Sequence, residues 1–355
     1  MIFDTNSYNS YMIVCKFGGT CCTHRNAPKV KQIVGQNHRA VVVSAVGKTH
    51  PTDTKVTDLL INLHHNLPNT QIFDIVAEKY QKLAKRCQYT QIDTLLSSTI
   101  TDIVSKNSYH NTLSKGEEMS AKIFANYLNY PYVDADTLFA FDGESVNLQR
   151  TFSQIRTAYQ TYGKFVTGGF YGANATGRVT FSRGGSDITG SILASALNAC
   201  LYENFTDVNG VCIASPTQVT LPQTVSCISY DDMHLMAKLG ANVLHPDAVT
   251  MARIGNVPIN VRNLFAPTNF GTLVSSAHSP SQVLGITQQQ DASYQTSIIH
   301  SLDGFWLLTQ ILPSLQKLPQ LQVFSVQQTD NLITIATNLP IVKAIYNCLL
   351  TNGAI

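Results

Sequence analysis

Residues 180–197, TFSRGGSDITGSILASAL, place an arginine, two glycines and an aspartate directly before an apolar helical pattern. Ile188, Ile192 and Ala196 recur at four-residue spacing, which predicts a helix with one buried side. A helix N-terminus presents unpaired N–H groups and a partial positive charge, and Arg183 adds a planar fork suited to a carboxylate or a phosphate. The stretch therefore predicts an anion site at a helix start.

A second stretch with the same chemistry, CKFGGT, follows the first apolar run of the chain. Lys16 supplies a cation, and Gly18 and Gly19 would let consecutive backbone N–H groups approach phosphate oxygens closely. The alternative is a strand that ends in a glycine turn, with Lys16 solvated. SAVGKT is not a Walker A loop, because Val42 stands where that loop needs its first glycine.

Three acidic positions allow both a structural and a functional interpretation. Glu117, in SKGEEMSAK, is predicted at a helix start, where most glutamates only serve the helix dipole. Asp187, taken alone, is best explained as a helix N-cap. Thr206 and Asp207, in NFTDVNG, are predicted at a strand end, the side on which open α/β sheets bind ligands. A ligand role stays open for each.

The elements that must position these residues alternate along the chain. Short runs rich in valine and isoleucine predict strands at 11–17, 40–46, 163–170, 202–208 and 257–265. Apolar residues at helical spacing predict helices at 55–65, 72–87 and 115–128, and a further helix begins at Ser229 in capping-box-like order and stops at Gly240. This alternation favours a largely parallel sheet with helices on both faces.

The polar stretch SSAHSPSQ, at 275–282, predicts a linker between two domains. We place a larger α/β domain at 1–278 and a small α+β domain at 283–355. The small domain shows a β-α-β-β-α pattern. The residues of its first helix that should face its sheet are Trp306, Leu307, Ile311 and Leu315.

The composition excludes several classes of protein. The chain has 355 residues, 44% of them hydrophobic, with a formal net charge of +2. That balance disfavours a nucleic-acid or membrane-surface binder. The eight cysteines form no C-x-x-C pair and the histidines no H-E-x-x-H, so we expect reduced thiols and no resident metal site. The N-terminal residues lack the pattern of a signal peptide, and no apolar run reaches about 20 residues, so we expect a cytoplasmic protein.

Nine stretches between residues 12 and 275 together resemble the aspartokinases of the amino acid kinase family. In chain order they are KFGGT, VVVSAVGK, DTKVTDLLI, KGEEMSAK, GGFYGA, TFSRGGSDITGS, LYENFTDVNG, LGANVLHPDAV and VPINVRN. The resemblance implies a three-layer αβα sandwich around a mostly parallel eight-stranded sheet, followed here by a single, incomplete ACT-like domain. It also implies phosphoryl transfer from ATP, with Mg²⁺, to the side-chain carboxylate of L-aspartate, giving 4-phospho-L-aspartate.

The chemistry of that reaction agrees with the residues. A carboxylate with a pKa near ~4 is already ionised at neutral pH, so this nucleophile needs no general base. The barrier lies in bringing two anions together, which requires cations and oriented N–H groups. The stretches around Lys16 and Arg183 offer both.

The resemblance also implies roles for single residues. Lys16 would neutralise the transferring phosphoryl group, and Asp187 would orient Lys16 or a metal-bound water. Gly18, Gly19 and the Thr20 hydroxyl would lie beside that phosphoryl group. The substrate contacts would be Arg183 at the α-carboxylate, Glu117 at the α-ammonium, and Ser44, Thr57 and Ser186. The nucleotide contacts would be Lys16, Gly19, Thr206, Asp207 and Asn242.

Two departures from the family pattern leave other functions open. Thr217 stands where the family has a nucleotide-contacting arginine, and Asn242 replaces a common lysine. The alternatives are a non-catalytic amino-acid-binding regulator with a degenerate nucleotide site, and a kinase for another acidic amino acid. A lone ACT-like domain has an unpaired sheet edge, so we expect a homodimer through the C-terminal domain and weak or no inhibition by lysine or threonine.

Overall fold

The computed structural model describes residues 12–35, 37–68, 70–181, 184–277 and 281–355. They form two large sheets with helices packed on them, and two short hairpins. Arg183, which the sequence places in an anion site, lies outside the described residues. No helix in the described ranges is long and apolar enough to cross a membrane.

The elements follow one another in the order that the alternating pattern predicts. The first are β1 (Ile13–Phe17), α1 (Ala27–Ile33), β2 (His38–Val43), α2 (Val56–His65), α3 (Gln71–Cys87), α4 (Ile92–Lys106), α5 (Tyr109–Leu128), α6 (Ala135–Leu138), β3 (Phe141–Asp142) and β4 (Ser145–Val146). The next are α7 (Leu148–Tyr162), β5 (Phe165–Gly168), β6 (Tyr171–Asn174), β7 (Gly177–Thr180), α8 (Gly185–Ala196), β8 (Leu201–Thr206), β9 (Cys227–Ser229), α9 (Tyr230–Lys238), α10 (Pro246–Ile254), β10 (Ile259–Asn263) and β11 (Thr272–Ser275). The last are β12 (Val283–Gln290), β13 (Tyr294–His300), α11 (Gly304–Leu315), β14 (Val323–Gln328), β15 (Leu332–Thr337) and α12 (Val342–Thr351).

The main sheet has seven strands within the described residues, in the order β5-β2-β1-β8-β10-β11-β9. Neighbouring strands are parallel except for the antiparallel pair β10–β11. The predicted αβα sandwich around a mostly parallel sheet is confirmed. The expected count of eight strands is not met, because the segment beside β5 joins the sheet only through an isolated parallel bridge between Tyr132 and Val166.

Helices cover both faces of the main sheet, and each face has its own apolar core. Successive residues of a strand point to opposite faces. Accordingly, Val14 of β1 packs in one core with Ile188 and Ile192 of α8, whereas Cys15 and Phe17 pack in the other core. The second core contains the buried sides of α2, α3, α4 and α5.

The C-terminal sheet is antiparallel, in the order β12-β13-β15-β14. The predicted pattern missed β12, whose second half is a run of glutamines. Leu307, Ile311 and Leu315 are buried as predicted. The prediction for Trp306 is wrong, since its side chain is 40% exposed. The buried line of α11 follows a four-residue spacing, and Trp306 lies one residue off that line.

The two parts of the chain touch each other. The Tyr346 hydroxyl on α12 accepts the N–H of Gln223 at 3.0 Å and donates to the carbonyl of Leu221 at 3.3 Å. The apolar core on one face of the main sheet also continues into the small sheet. The domain boundaries at 1–278 and 283–355 stay predictions.

Candidate functional site

The candidate site lies at the carboxyl edge of the main sheet. Because β1, β2, β5 and β8 are parallel, they all end at that edge. The chain then crosses between neighbouring strands through backbone hydrogen bonds: the N–H of Gly18 donates to Phe205, that of Ser44 to Phe17, and that of Gly169 to Val43. The KFGGT and TDV stretches, far apart in sequence, therefore meet at one place.

Lys16 is held at this edge by two polar side chains. Its Nζ lies 2.6 Å from Oδ1 of Asp187 and 3.4 Å from Oδ1 of Asn204. The amide nitrogen of Asn204 in turn donates to the same Asp187 oxygen at 2.9 Å. Burial works against the charged ammonium, but the Asp187 carboxylate outweighs it, so the pKa of Lys16 is raised. Lys16 is a fixed, permanently charged cation, not a solvated one.

Asp187 does not cap helix α8. The N-cap is Gly184, which adopts the left-handed region at φ 79°, and Asp187 lies in the first turn. The prediction of an N-cap is therefore wrong: a glycine satisfies the backbone geometry of the cap, and the aspartate is left to pair with Lys16. Ser186, in the same turn, lies against Gly169, where any Cβ would come within 2.7 Å of it.

The glycine turn after β1 packs directly on the loop after β2. The N–H of Gly47 donates to the carbonyl of Gly19 at 2.9 Å. A Cβ at Gly47 would lie 2.4 Å from the carbonyl carbon of Gly19, and one at Gly19 would lie 3.1 Å from the carbonyl oxygen of Ala45. The sequence analysis considered GKT only as part of a Walker A loop, which it excluded, and did not identify Gly47 as a site residue. A glycine packed against a second glycine turn indicates that two backbone segments approach each other closely.

Glu117 lies in the third turn of α5, not at a helix start. The helix begins at Tyr109, after a Ser108 cap whose side chain accepts the N–H of Asn111. The dipole explanation for Glu117 is therefore wrong. The predicted start of the helix was about two turns too late, because the residues of those turns are mostly polar. Oε1 of Glu117 accepts the N–H of Ala45 at 3.1 Å.

The second carboxylate oxygen of Glu117 is buried and has no hydrogen-bond partner among the described residues. Burial raises the pKa of Glu117 to about 8, and the backbone hydrogen bond from Ala45 only partly opposes it. A buried carboxyl group without a cation favours an incoming cation as its partner.

The remaining predicted residues divide into two groups. Thr20 and Thr206 each donate a hydroxyl to Asp207, at 3.3 and 3.2 Å, on an exposed rim beside the Lys16 pair. Ser44 follows β2 and joins the edge through its backbone. Thr57 is half-buried in the first turn of α2, and Asn242 is exposed in the turn between α9 and α10. Among the described contacts, no hydrogen bond ties either of these two to the Lys16 cluster.

Asn204 is a second site residue that the sequence analysis missed, after Gly47. It is a buried amide in the middle of β8, and it bonds to both Lys16 and Asp187. The signal was present, since YENFT carries two polar residues inside a strand that is otherwise apolar. Buried polar side chains need partners, so such a residue marks a polar site on the sheet.

A mostly parallel central sheet with a buried cation and glycine turns at its carboxyl edge is the arrangement in which α/β proteins bind anionic ligands. The chain belongs to the amino acid kinase family, whose sequence profile matches residues 11–263. It is 34% identical to aspartokinase 3 of Bacillus subtilis over 75% of its own length, and 31% identical to the aspartokinase of Geobacillus stearothermophilus over 77%. The matches cover 64% and 61% of those two proteins, so the chain spans about three fifths of the length of these relatives.

Solved structures show the same fold. The aspartate kinase of Clostridium acetobutylicum superposes with a TM-score of 0.81 at 23% identity, covering 95% of this chain and 99% of that one. Escherichia coli aspartokinase III, in complex with aspartate and ADP, gives 0.70 at 22% identity, covering 97% of this chain and 83% of that one. At this level of identity the likeness establishes the fold.

Proposed function

We propose that this protein transfers the γ-phosphoryl group of ATP to the side-chain carboxylate of L-aspartate, giving 4-phospho-L-aspartate. The observation that carries the proposal is the Lys16 ammonium, fixed by Asp187 and Asn204 beside the Gly18–Gly19 turn. An oriented cation next to convergent backbone N–H groups stabilises the charge of a transferring phosphoryl group. The aspartate carboxylate is already ionised at neutral pH and needs no general base.

The acceptor amino acid would be held by Glu117. Its buried carboxyl group requires a cation when ionised, and the α-ammonium of aspartate supplies one. We assign Arg183 to the α-carboxylate, because its planar fork suits that group; Ser44, Thr57 and Ser186 are the further predicted substrate contacts. Aspartokinase III of Escherichia coli, crystallised with aspartate and ADP, shares the fold and supports this substrate pair.

The nucleotide would bind on the Asp207 side of Lys16. Within the described residues no group of three or more histidine, cysteine or acidic side chains could hold a metal ion. Mg²⁺ usually binds through one or two carboxylates together with substrate phosphates, so the residues fit it as a companion of the nucleotide. Asp207 would be its protein ligand, since its carboxylate accepts only hydroxyl groups of Thr20 and Thr206. Mg²⁺ would supply charge neutralisation at the phosphates.

We also propose a homodimer formed through the C-terminal sheet. β14 is an edge strand that pairs only with β15 among the described strands, and both its faces are exposed. Val323, Phe324 and Val326 on it are 40% to 58% exposed, next to a helix that exposes Phe305 and Trp306. An apolar edge of this kind is covered in stable proteins, and a second copy offers a matching strand.

The kinase proposal is tested by trapping the product. Purified protein with MgATP, L-aspartate and hydroxylamine should form aspartyl hydroxamate, and controls without aspartate or with Lys16→Met should not. Folded protein that binds aspartate without forming hydroxamate would contradict the proposal and favour a non-catalytic amino-acid-binding regulator. Hydroxamate from L-glutamate but not from L-aspartate would instead indicate a kinase for another acidic amino acid.

A further inference from the structure

Two adjacent glutamates on α5 have opposite surroundings. Among the described residues no cation pairs with Glu117, and burial raises its pKa to about 8. Glu118 is also buried, but Lys115 and Lys122 lie 2.8 and 2.6 Å from it and Arg178 lies 2.6 Å from it. Burial alone would raise the pKa of Glu118, yet these cations, Arg178 first, lower it to about 2. Glu118 is therefore a firmly charged anchor directly beside the predicted substrate residue.

Arg178, on β7, is the centre of this anchor. One terminal nitrogen, Nη1, donates to Glu118 at 2.6 Å and to the Ser114 hydroxyl at 2.9 Å, both on α5. The other, Nη2, donates to Asp134 at 2.9 Å and to Asp136 at 3.3 Å. The guanidinium side chain is only 10% exposed. The planar fork of the guanidinium, with its donors at fixed angles, holds the carboxylates of different elements in one defined geometry.

The hairpin β6–β7 is joined to α5 a second time. Nδ1 of His110, in the first turn of α5, lies 2.8 Å from the Thr180 hydroxyl and accepts the Thr180 N–H at 3.3 Å. β7 ends at Thr180, and the chain continues to Gly184, the cap of the helix that carries Asp187. Arg178 therefore stands between the helix that carries Glu117 and the segment that leads to Asp187.

We propose that Arg178 is a positioning residue for the acceptor amino acid: through Glu118 it fixes the position of Glu117 relative to the start of α8. The inference rests on the proposed function, in which Glu117 binds the substrate ammonium and Asp187 orients Lys16. The described contacts of Arg178 are all with protein groups, so its proposed effect on the substrate is exerted through Glu118. Small displacements of a substrate-binding group lower the efficiency of an otherwise intact site.

Steric contacts make Glu117 sensitive to such displacements. Gly168, at the end of β5, packs tightly against α5, since a Cβ there would lie 3.1 Å from the Cβ of Glu117. A Cβ at Gly116 would lie 2.7 Å from that of Ala45, whose N–H bonds Glu117. Helix α5 thus lies directly against the sheet edge, and a shift of the helix moves the Glu117 carboxyl group within the site.

The experiment compares Arg178→Met and Arg178→Lys with the control Arg150→Met. Arg150 also pairs with an aspartate, Asp142, but on the exposed surface. We expect both Arg178 variants to raise the aspartate KM by about tenfold or more, with the ATP KM within about twofold of the wild type. Glu118→Gln should act in the same direction, and the double variant Glu118→Gln/Arg178→Met should be no worse than Arg178→Met, because the two residues act as a unit.

Each other result overturns the inference. An unchanged aspartate KM in folded Arg178→Lys and Glu118→Gln would show that the clamp does not position Glu117. Equal increases in both KM values would show a general structural role. If Arg178→Met does not fold, Arg178→Lys and Glu118→Gln are compared with the control in its place. Absence of turnover in the wild type would contradict the kinase proposal instead. Calorimetric titration of the wild type and the variants with L-aspartate would still compare their affinities for aspartate and so measure the positioning effect.

Discussion

The ammonium of Lys16 lies 2.6 Å from Oδ1 of Asp187, with Asn204 bonded to both. The three residues come from β1, the first turn of α8 and β8, which the parallel sheet brings to one edge. Asp187 fixes the position of the ammonium group, and Asn204 forms hydrogen bonds to both residues. The cation is therefore oriented before any ligand binds, which is the condition for efficient electrostatic catalysis.

Removing this charge should abolish most of the activity. Lys16→Met keeps much of the side-chain volume, and we expect kcat to fall by roughly 10²–10³, as for one lost transition-state donor. Asp187→Asn should give a smaller loss, because the ammonium remains but is no longer fixed. Steady-state kinetics of hydroxamate formation measures both. Lys82→Met, an exposed helical lysine paired with Glu78, is the control and should match the wild type.

Binding of aspartate should become tighter as the pH rises towards 8. Burial raises the pKa of Glu117 to about 8, so the free protein holds a proton there at neutral pH, and that proton must leave when an ammonium group binds. We expect the aspartate KM to fall about tenfold between about pH 6.5 and about pH 8. Glu117→Gln should remove this pH dependence, whereas Glu78→Gln, on the exposed face of α3, should keep it. A flat profile in the wild type would contradict the assignment.

A methyl group at Gly47 should disrupt the turn after β1. The added Cβ of Gly47→Ala would lie 2.4 Å from the carbonyl carbon of Gly19, and a backbone atom cannot move aside cheaply. We expect the ATP KM to rise by about tenfold or more and the thermal midpoint to fall by several degrees, from an overpacking cost of about 1–3 kcal/mol. Gly35→Ala, where the nearest atom is 3.9 Å away, is the matched control. Equal ATP KM values for the two variants would show that the turn does not contact the nucleotide.

A charge on the edge strand should separate the proposed dimer. Phe324 is 58% exposed on β14, and Phe324→Asp would bury a carboxylate in the interface between two copies. Light scattering after size-exclusion chromatography should give a dimer for the wild type and a monomer for the variant. Phe270→Asp, at a similarly exposed phenylalanine of the larger part of the chain, should remain a dimer. A monomeric wild type at micromolar concentration would refute the dimer.

The sequence by itself determined the elements whose signals are local. Apolar runs and helical spacing located the helices α2 and α3 to within one residue and the strands β1, β2, β8 and β10 less closely, with β2 predicted at 40–46 and found at His38–Val43, because each pattern reports only near neighbours. The resemblance carried by KFGGT and TFSRGGSDITGS gave the family. Two predictions from local patterns were wrong. Glu117 was placed at a helix start, because the first turns of α5 are mostly polar, and Trp306 was expected to be buried, although it lies one residue off the buried line of its helix.

The tertiary structure alone decided which distant residues meet. Residue types and spacing do not pair Lys16 with Asp187 rather than leaving that aspartate to cap its helix, and they do not distinguish Glu117 from Glu118; before the structure, only the family resemblance implied these assignments. The first choice follows from strand order, which sets β1 beside β8 and under the start of α8. The second follows from Arg178, a residue on another element that pairs with Glu118, whereas within the described part of the chain no cation pairs with Glu117. Charge and burial at a buried site depend on partners that come from elsewhere in the chain, so the chemistry of these two glutamates is a property of the fold.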